Sequence, residues 1–194
     1  TGRVQANGNI RDAASTSGRV DLSGLRFFFQ NIPLVQSDGI VLEMADRQVS
    51  IAQFDAAILS EGHLRLSGEA HMDGPLDLAV DGRIPLSAVS KFSDAFVDAD
   101  GMLSLVGTVS GRLQAPEVDA RLDMEKIGMA VPGLSQRLSD LNGSIHLTSQ
   151  RIRIERLAGF LETGRFSVDG TIEHENFDPV AIDLVIDARS LPIE

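Results

Sequence analysis

The chain has 194 residues, 43% of them hydrophobic and 23% charged, with a mean hydropathy of +0.04. That is enough apolar content for a core and is not the composition of a disordered segment. A net charge of −11, from 28 acidic and 17 basic residues with Lys91 and Lys126 as the only lysines, argues against nucleic-acid partners and against docking on an anionic lipid surface. The absence of cysteine rules out disulfides and thiolate metal sites, and nine Phe with no Tyr or Trp favour an aliphatic binding surface.

Thr1 to Ile10 carry no signal-peptide core, and no stretch reaches the ~20 apolar residues of a membrane helix. The chain begins inside a strand-like pattern, which suggests a piece of a longer protein whose targeting segment lies elsewhere. That pattern is Gly, three to five alternating residues, Gly. It reads Gly2-Arg-Val-Gln-Ala-Asn-Gly8, and after a polar loop expected over 11–17 it returns as Gly18-Arg-Val-Asp-Leu-Ser-Gly24. The strand expected over 18–29 ends in Phe27, Phe28 and Phe29, which read as a two-sided core beneath a loop at 30–36 in preference to a lipid or partner contact.

Strands follow near 38–45, 47–51, 53–60, 62–72 and 75–83, the fourth of them carrying Gly62-His-Leu-Arg-Leu-Ser-Gly68. Turn signals fall at Ala45-Asp46 and Asp73-Gly74. Residues 86–97 break the period of two: Leu86, Val89, Phe92 and Phe96 stand near helical spacing and predict one short helix. Asp98 and Asp100 after it read as a solubilising turn. The organisation expected is a first β segment over 1–86, a helix and turn over 87–100, and a second β segment over 101–194.

The second segment predicts strands near 101–111, 117–124, 126–131, 142–148, 150–154, 156–161, 163–174 and 179–187. It holds Gly101-Met-Leu-Ser-Leu-Val-Gly107 and Gly164-Arg-Phe-Ser-Val-Asp-Gly170. Breaks are expected at Ala115-Pro116, Pro132-Gly133, Ser149-Gln150 and Asn176 to Pro179, with a turn or helical turn over 132–139. Residues 37–86 resemble residues 141–193 at an offset of about a hundred, and such repetition points to a stacked, open architecture.

Each copy puts its two glycines and its aliphatic residues on one face, six positions apart, and its polar residues on the other. Glycine within a strand marks a bend or a close backbone approach, so the sheet is expected to curl toward its apolar face. The fold class predicted is all-β: an elongated, curved, mostly antiparallel sheet, a half-pipe or β-taco with an apolar interior. The residues expected to line it are Val20, Leu22, Leu64, Leu66, Ala70, Met72, Leu76, Leu78, Val80, Leu103, Leu105, Val118, Leu122, Ile145, Leu147, Ile152, Ile154, Phe166, Val168, Ile172, Ile182, Leu184 and Ile186. The competing expectation is an ordinary sandwich core packed dry.

Catalytic chemistry is not expected. His63, His71, His146 and His174 lack metal-ligand spacing, His63 and His146 fall on the polar strand phase, and His174 sits near a strand end in a charged turn. Nucleophile-elbow, zincin, P-loop and dinucleotide-binding fingerprints are all missing, so no enzyme, cofactor or metal is predicted.

One further signal lies in the run Gly107-Thr-Val-Ser-Gly111, Pro116-Glu-Val-Asp-Ala120, Val131-Pro-Gly133, Leu141-Asn-Gly143-Ser-Ile-His-Leu147, Arg151-Ile-Arg-Ile154, Gly164 to Gly170 and Leu191-Pro-Ile193. It resembles the TamB family of the AsmA-like superfamily, well over 100–193 and less well over 37–86, with Ala120 where Gly is more usual. The resemblance implies a periplasmic segment of a protein held in the inner membrane of a didermal bacterium by an N-terminal helix. It implies a greasy half-pipe that carries phospholipid acyl chains toward the outer membrane. It also implies an Omp85-type outer-membrane barrel as partner, and a share in outer-membrane protein assembly. An acyl chain of ~16 carbons crossing water needs on the order of 10 kcal/mol of compensation, at about 0.8 kcal/mol per CH₂. A row of aliphatic side chains can supply much of that, and about fourteen strands in one sheet would run roughly 65 Å.

Overall fold

The structure is a computed structural model that describes residues 2–9, 12–29, 32–45, 47–59, 61–71, 74–90, 97–112, 114–130, 136–175 and 178–190. It is all-β and antiparallel. Twelve strands hydrogen-bond in chain order, so every connection joins neighbours. They are β1 (Gly2–Asn9), β2 (Asp12–Phe29), β3 (Ile32–Ala45), β4 (Gln48–Ile58), β5 (Gly62–His71), β6 (Pro75–Pro85), β7 (Val97–Arg112), β8 (Ala115–Ala130), β9 (Arg137–Thr148), β10 (Arg151–Leu161), β11 (Gly164–Glu175) and β12 (Asp178–Arg189). One helical turn, α1 (Leu86–Val89), lies between β6 and β7.

Period two is what makes these segments strands. In β5 the inward positions Gly62, Leu64, Leu66, Gly68 and Ala70 alternate with exposed His63, Arg65, Ser67 and Glu69. In β6, Leu76, Leu78, Val80 and Gly82 alternate with exposed Asp77, Ala79, Asp81 and Arg83.

Three pairs of expected strands are each a single strand with a bulge. The break expected near 52 lies inside β4, where the register with β5 slips between Ile51 and Asp55. The one near 125 lies inside β8, where the register with β9 slips between Met124 and Ile127. The one near 155 lies inside β10, where the register with β11 slips between Ile154 and Leu157. An inserted residue shifts the phase of the alternation, which reads in sequence as a strand end.

Other boundaries move as well. The polar loop expected over 11–17 is β2 from Asp12 onward, pairing Ser17 with Asn7 and Asp12 with Asn9. The loop expected over 30–36 is β3 from Ile32, paired with Phe27 to Phe29, and Phe28 is 59% exposed and not part of a core. The helix expected over 86–97 is described as Leu86–Val89. Val97 already opens β7, and Phe92 and Phe96 lie outside the described residues. Ala115 and Pro116 begin β8 and do not form a turn. Asp98 and Asp100 are strand residues of β7, and residues 137–139 belong to β9. The signals at Asp46, Asp73, Pro132-Gly133 and Asn176 lie outside the described residues.

The chain divides into two compact units, one of residues 1–82 with 107–118, the other of residues 83–106 with 119–194. In the second, Leu86, Ala99 and Ile127 form a small buried cluster, 2%, 6% and 3% exposed, with Val89, Leu103, Met124, Met129 and Leu141 against it. α1 therefore acts as a plug over β7, β8 and β9. The same unit carries a left-handed residue in each of four strands: Asp98 in β7 (φ 49°), Lys126 in β8 (φ 50°), Asp140 in β9 (φ 50°) and Arg156 in β10 (φ 52°). Non-glycine residues adopt this region at a cost, and bulges that use it bend the strand and increase its twist.

Candidate functional site

Cross-strand pairing collects the aliphatic residues into ladders on one face. In the first unit Val4, Val20, Leu42 and Ile51 stand opposite one another from β1 to β4. Beside them run Leu22, Ile40 and Phe54, then Met44, Val49 and Ala70. In the second unit Ala120, Leu147, Ile152, Ile172 and Ile182 form one row across β8 to β12. Leu122, Ile145, Ile154, Gly170 and Leu184 form the next, and Val168 pairs with Ile186.

Two of the motif glycines cut into this face for a backbone reason. Gly68 has φ +127°, and a Cβ there would fall 2.0 Å from the Asp77 carbonyl oxygen. Gly170 has φ +144°, and its Cβ would fall 2.1 Å from the Asp183 carbonyl. The neighbouring strand approaches so closely that no side chain fits, and the ladder has a gap at each of these positions.

Most of the expected lining residues are half-buried: Val20, Leu22, Leu64, Leu66, Ala70, Leu78, Val80, Leu105, Val118, Leu122, Ile145, Leu147, Ile152, Ile154, Phe166, Val168, Ile172 and Leu184. Leu76 is buried, and Leu103, also half-buried, packs against the α1 cluster. Ile182 and Ile186 on the last strand are 63% and 64% exposed. The side chain of Met72 lies outside the described residues. The expected set omitted Val4, Ile40, Leu42, Met44, Val49 and Ile51 in the first unit and Ala120 in the second, although the alternation in β3 and β4 was enough to find most of them. Phe54 and Ala56 were hidden because the β4 bulge changes their phase.

The opposite face is charged and paired. Arg19 reaches both Asp21, at 2.8 Å, and Glu43. Arg65 pairs with Asp55 at 2.6 Å, and Arg151 with Glu173 at 3.2 Å. Arg121 holds Asp123 and Glu155, each at 3.0 Å. The Ser144 hydroxyl, donating to Asp123 at 2.6 Å, and then the Arg121 guanidinium hold the Asp123 carboxyl below its ordinary value. The expected solvated histidines are here: His63 lies 3.3 Å from Asp81 and His146 2.8 Å from Asp119, all exposed. His174 differs from expectation. It is 3% exposed within β11, with Nε2 3.1 Å from the Thr148 carbonyl, and not in a charged turn.

Among the described residues no three His, Cys, Asp or Glu side chains converge as metal ligands, and no helix is long and apolar enough to cross a membrane. No protein-family model, curated protein or solved structure matches this chain.

Proposed function

We propose that the aliphatic face binds lipid acyl chains, and that the chain is a periplasmic groove segment of a TamB/AsmA-like envelope protein, non-enzymatic, passing phospholipid between inner and outer membrane. The observation that supports this most is the set of cross-strand aliphatic ladders whose members are mostly half-buried, with Val4, Ile182 and Ile186 exposed and Ala120 buried. A sandwich core would bury them.

The magnitudes favour a track over a pocket. The five-strand row from Leu122 to Leu184 spans about 19 Å at ~4.8 Å per strand, more than the ~15 Å of one leaflet. One-sided contact covers roughly half of an acyl chain and returns about 5 kcal/mol, a Kd on the order of 0.1 mM. Binding that weak lets a chain leave again. Titration with a fluorescent fatty acid tests the reading: Leu122→Glu and Ile154→Glu should each lower affinity at least tenfold while circular dichroism is retained. Undiminished affinity in both would rule it out.

A second reading is strand pairing with a partner such as an Omp85-type barrel or its client. It is favoured by β12, which exposes Val180, Ile182, Val185 and Ile186 at 59–64%. Val185→Lys lies opposite Asp169, off the aliphatic ladder, and should abolish strand pairing without touching fatty-acid affinity.

A further inference from the structure

Arginine–carboxylate pairs recur along the strands, Arg153 with Glu155 at 3.9 Å among them. Arg19, Arg65, Arg83, Arg121, Arg137 and Arg151 each form an ion pair. Arg156, Arg165 and Arg189 have none among the described residues, and all three line one cavity of about 290 Å³ at β10, β11 and β12. Ala158, Phe166, Ser167 and Asp187 complete its wall.

The register makes the clustering sharper. Arg165 stands directly opposite Arg189, and Ser167 directly opposite Asp187. Arg151 with Glu173 and Arg19 with Glu43, by contrast, are facing pairs of opposite charge. Like charges facing one another across a ladder destabilise it, so Arg165 and Arg189 are in place at a cost that a bound anion would relieve. Arg156, in the left-handed bulge of β10, brings the third guanidinium to the same cavity.

We infer that this cavity is a phosphate-binding site. Three guanidiniums against one carboxylate leave a charge of about +2, which matches the dianion of a phosphate monoester better than the monoanion of a diester. Guanidinium forks bind phosphate oxygens in pairs, and the Ser167 hydroxyl adds a further donor. The source of the group is a free phosphate or the headgroup of a monoester lipid such as phosphatidate. The inference does not rest on the acyl-chain reading, because inorganic phosphate tests it without a lipid; Phe166, from the expected lining set, is part of the wall.

Thermal unfolding of the 194-residue chain in inorganic phosphate, against chloride at equal ionic strength, is the test. At ten times the Kd the melting temperature should rise about 3–6 °C. The rise should vanish in the double variant Arg165→Gln, Arg189→Gln, which without phosphate should melt no lower than the wild type. Arg165→Glu gives a second protein without the site, in which the new carboxylate faces Arg189 and supports the ladder. No phosphate-dependent rise in the wild type, or an equal rise in these variants, overturns the site. With the site upheld, dihexanoyl phosphatidate binding at least tenfold tighter than inorganic phosphate assigns it to a lipid headgroup, and equal affinities assign it to free phosphate.

Discussion

At the scale of single residues, glycine and the charged pairs govern how the strands meet. Gly68→Ala would put a methyl group onto the Asp77 carbonyl and hold a left-handed φ without glycine's freedom, so it should cost about 1–3 kcal/mol. Gly24→Ala is the comparison. Its φ is +62° with nothing within 4 Å of a new Cβ, so only the strain of about 1–2 kcal/mol remains. Urea midpoints at equal slope should rank Gly68→Ala below Gly24→Ala, and a reversed rank would show that close strand approach is not what that glycine permits. Asp123 gives a pH-dependent case. Its carboxyl titrates below the ordinary 3.8 in the fold, so the unfolded chain binds the proton more readily between those values. The stabilisation is complete above about pH 5 and is lost as pH falls through the depressed value. Wild type and Asp123→Asn should therefore differ in urea midpoint at neutral pH, modestly because the carboxylate is exposed, and converge in acid.

At the scale of elements, α1 caps the aliphatic face over β7, β8 and β9. Leu86 is 2% exposed, so Leu86→Ala should cost about 2–5 kcal/mol in the second unit, read as a lower urea midpoint. Because Leu103 packs under the same cluster, the substitution should leave fatty-acid affinity undiminished. A loss of affinity would place the plug inside the binding surface. The elements also show how far the sequence could be read. Period two disclosed the strands and the inward side chains of β5, β6, β9 and β11 directly. The bulges were not legible as bulges, because residues such as Lys126 and Arg156 are not types that mark a left-handed φ. Their phase shift looked like a strand end, so β4, β8 and β10 each read as two. The polar run Asp12 to Ser17 read as a loop because nothing in its side chains records that β1 supplies its hydrogen bonds. The arginine cavity was illegible for a similar reason: Arg165 and Arg189 are 24 positions apart in the chain, and only the register sets them face to face.

At the scale of the whole molecule the account rests on a difference between two faces of the same strands. Neighbouring residues of β9 alternate between them: Ile145 and Leu147 belong to the aliphatic rows, while Ser144 and His146 face Asp123 and Asp119. The most direct measurement places a photo-crosslinking benzophenone at each of these four positions in turn and extracts the protein from cells after irradiation. Phospholipid adducts at 145 and 147 but not at 144 and 146 are the result the account predicts. Adducts at all four positions, or at none in a folded protein, would contradict it.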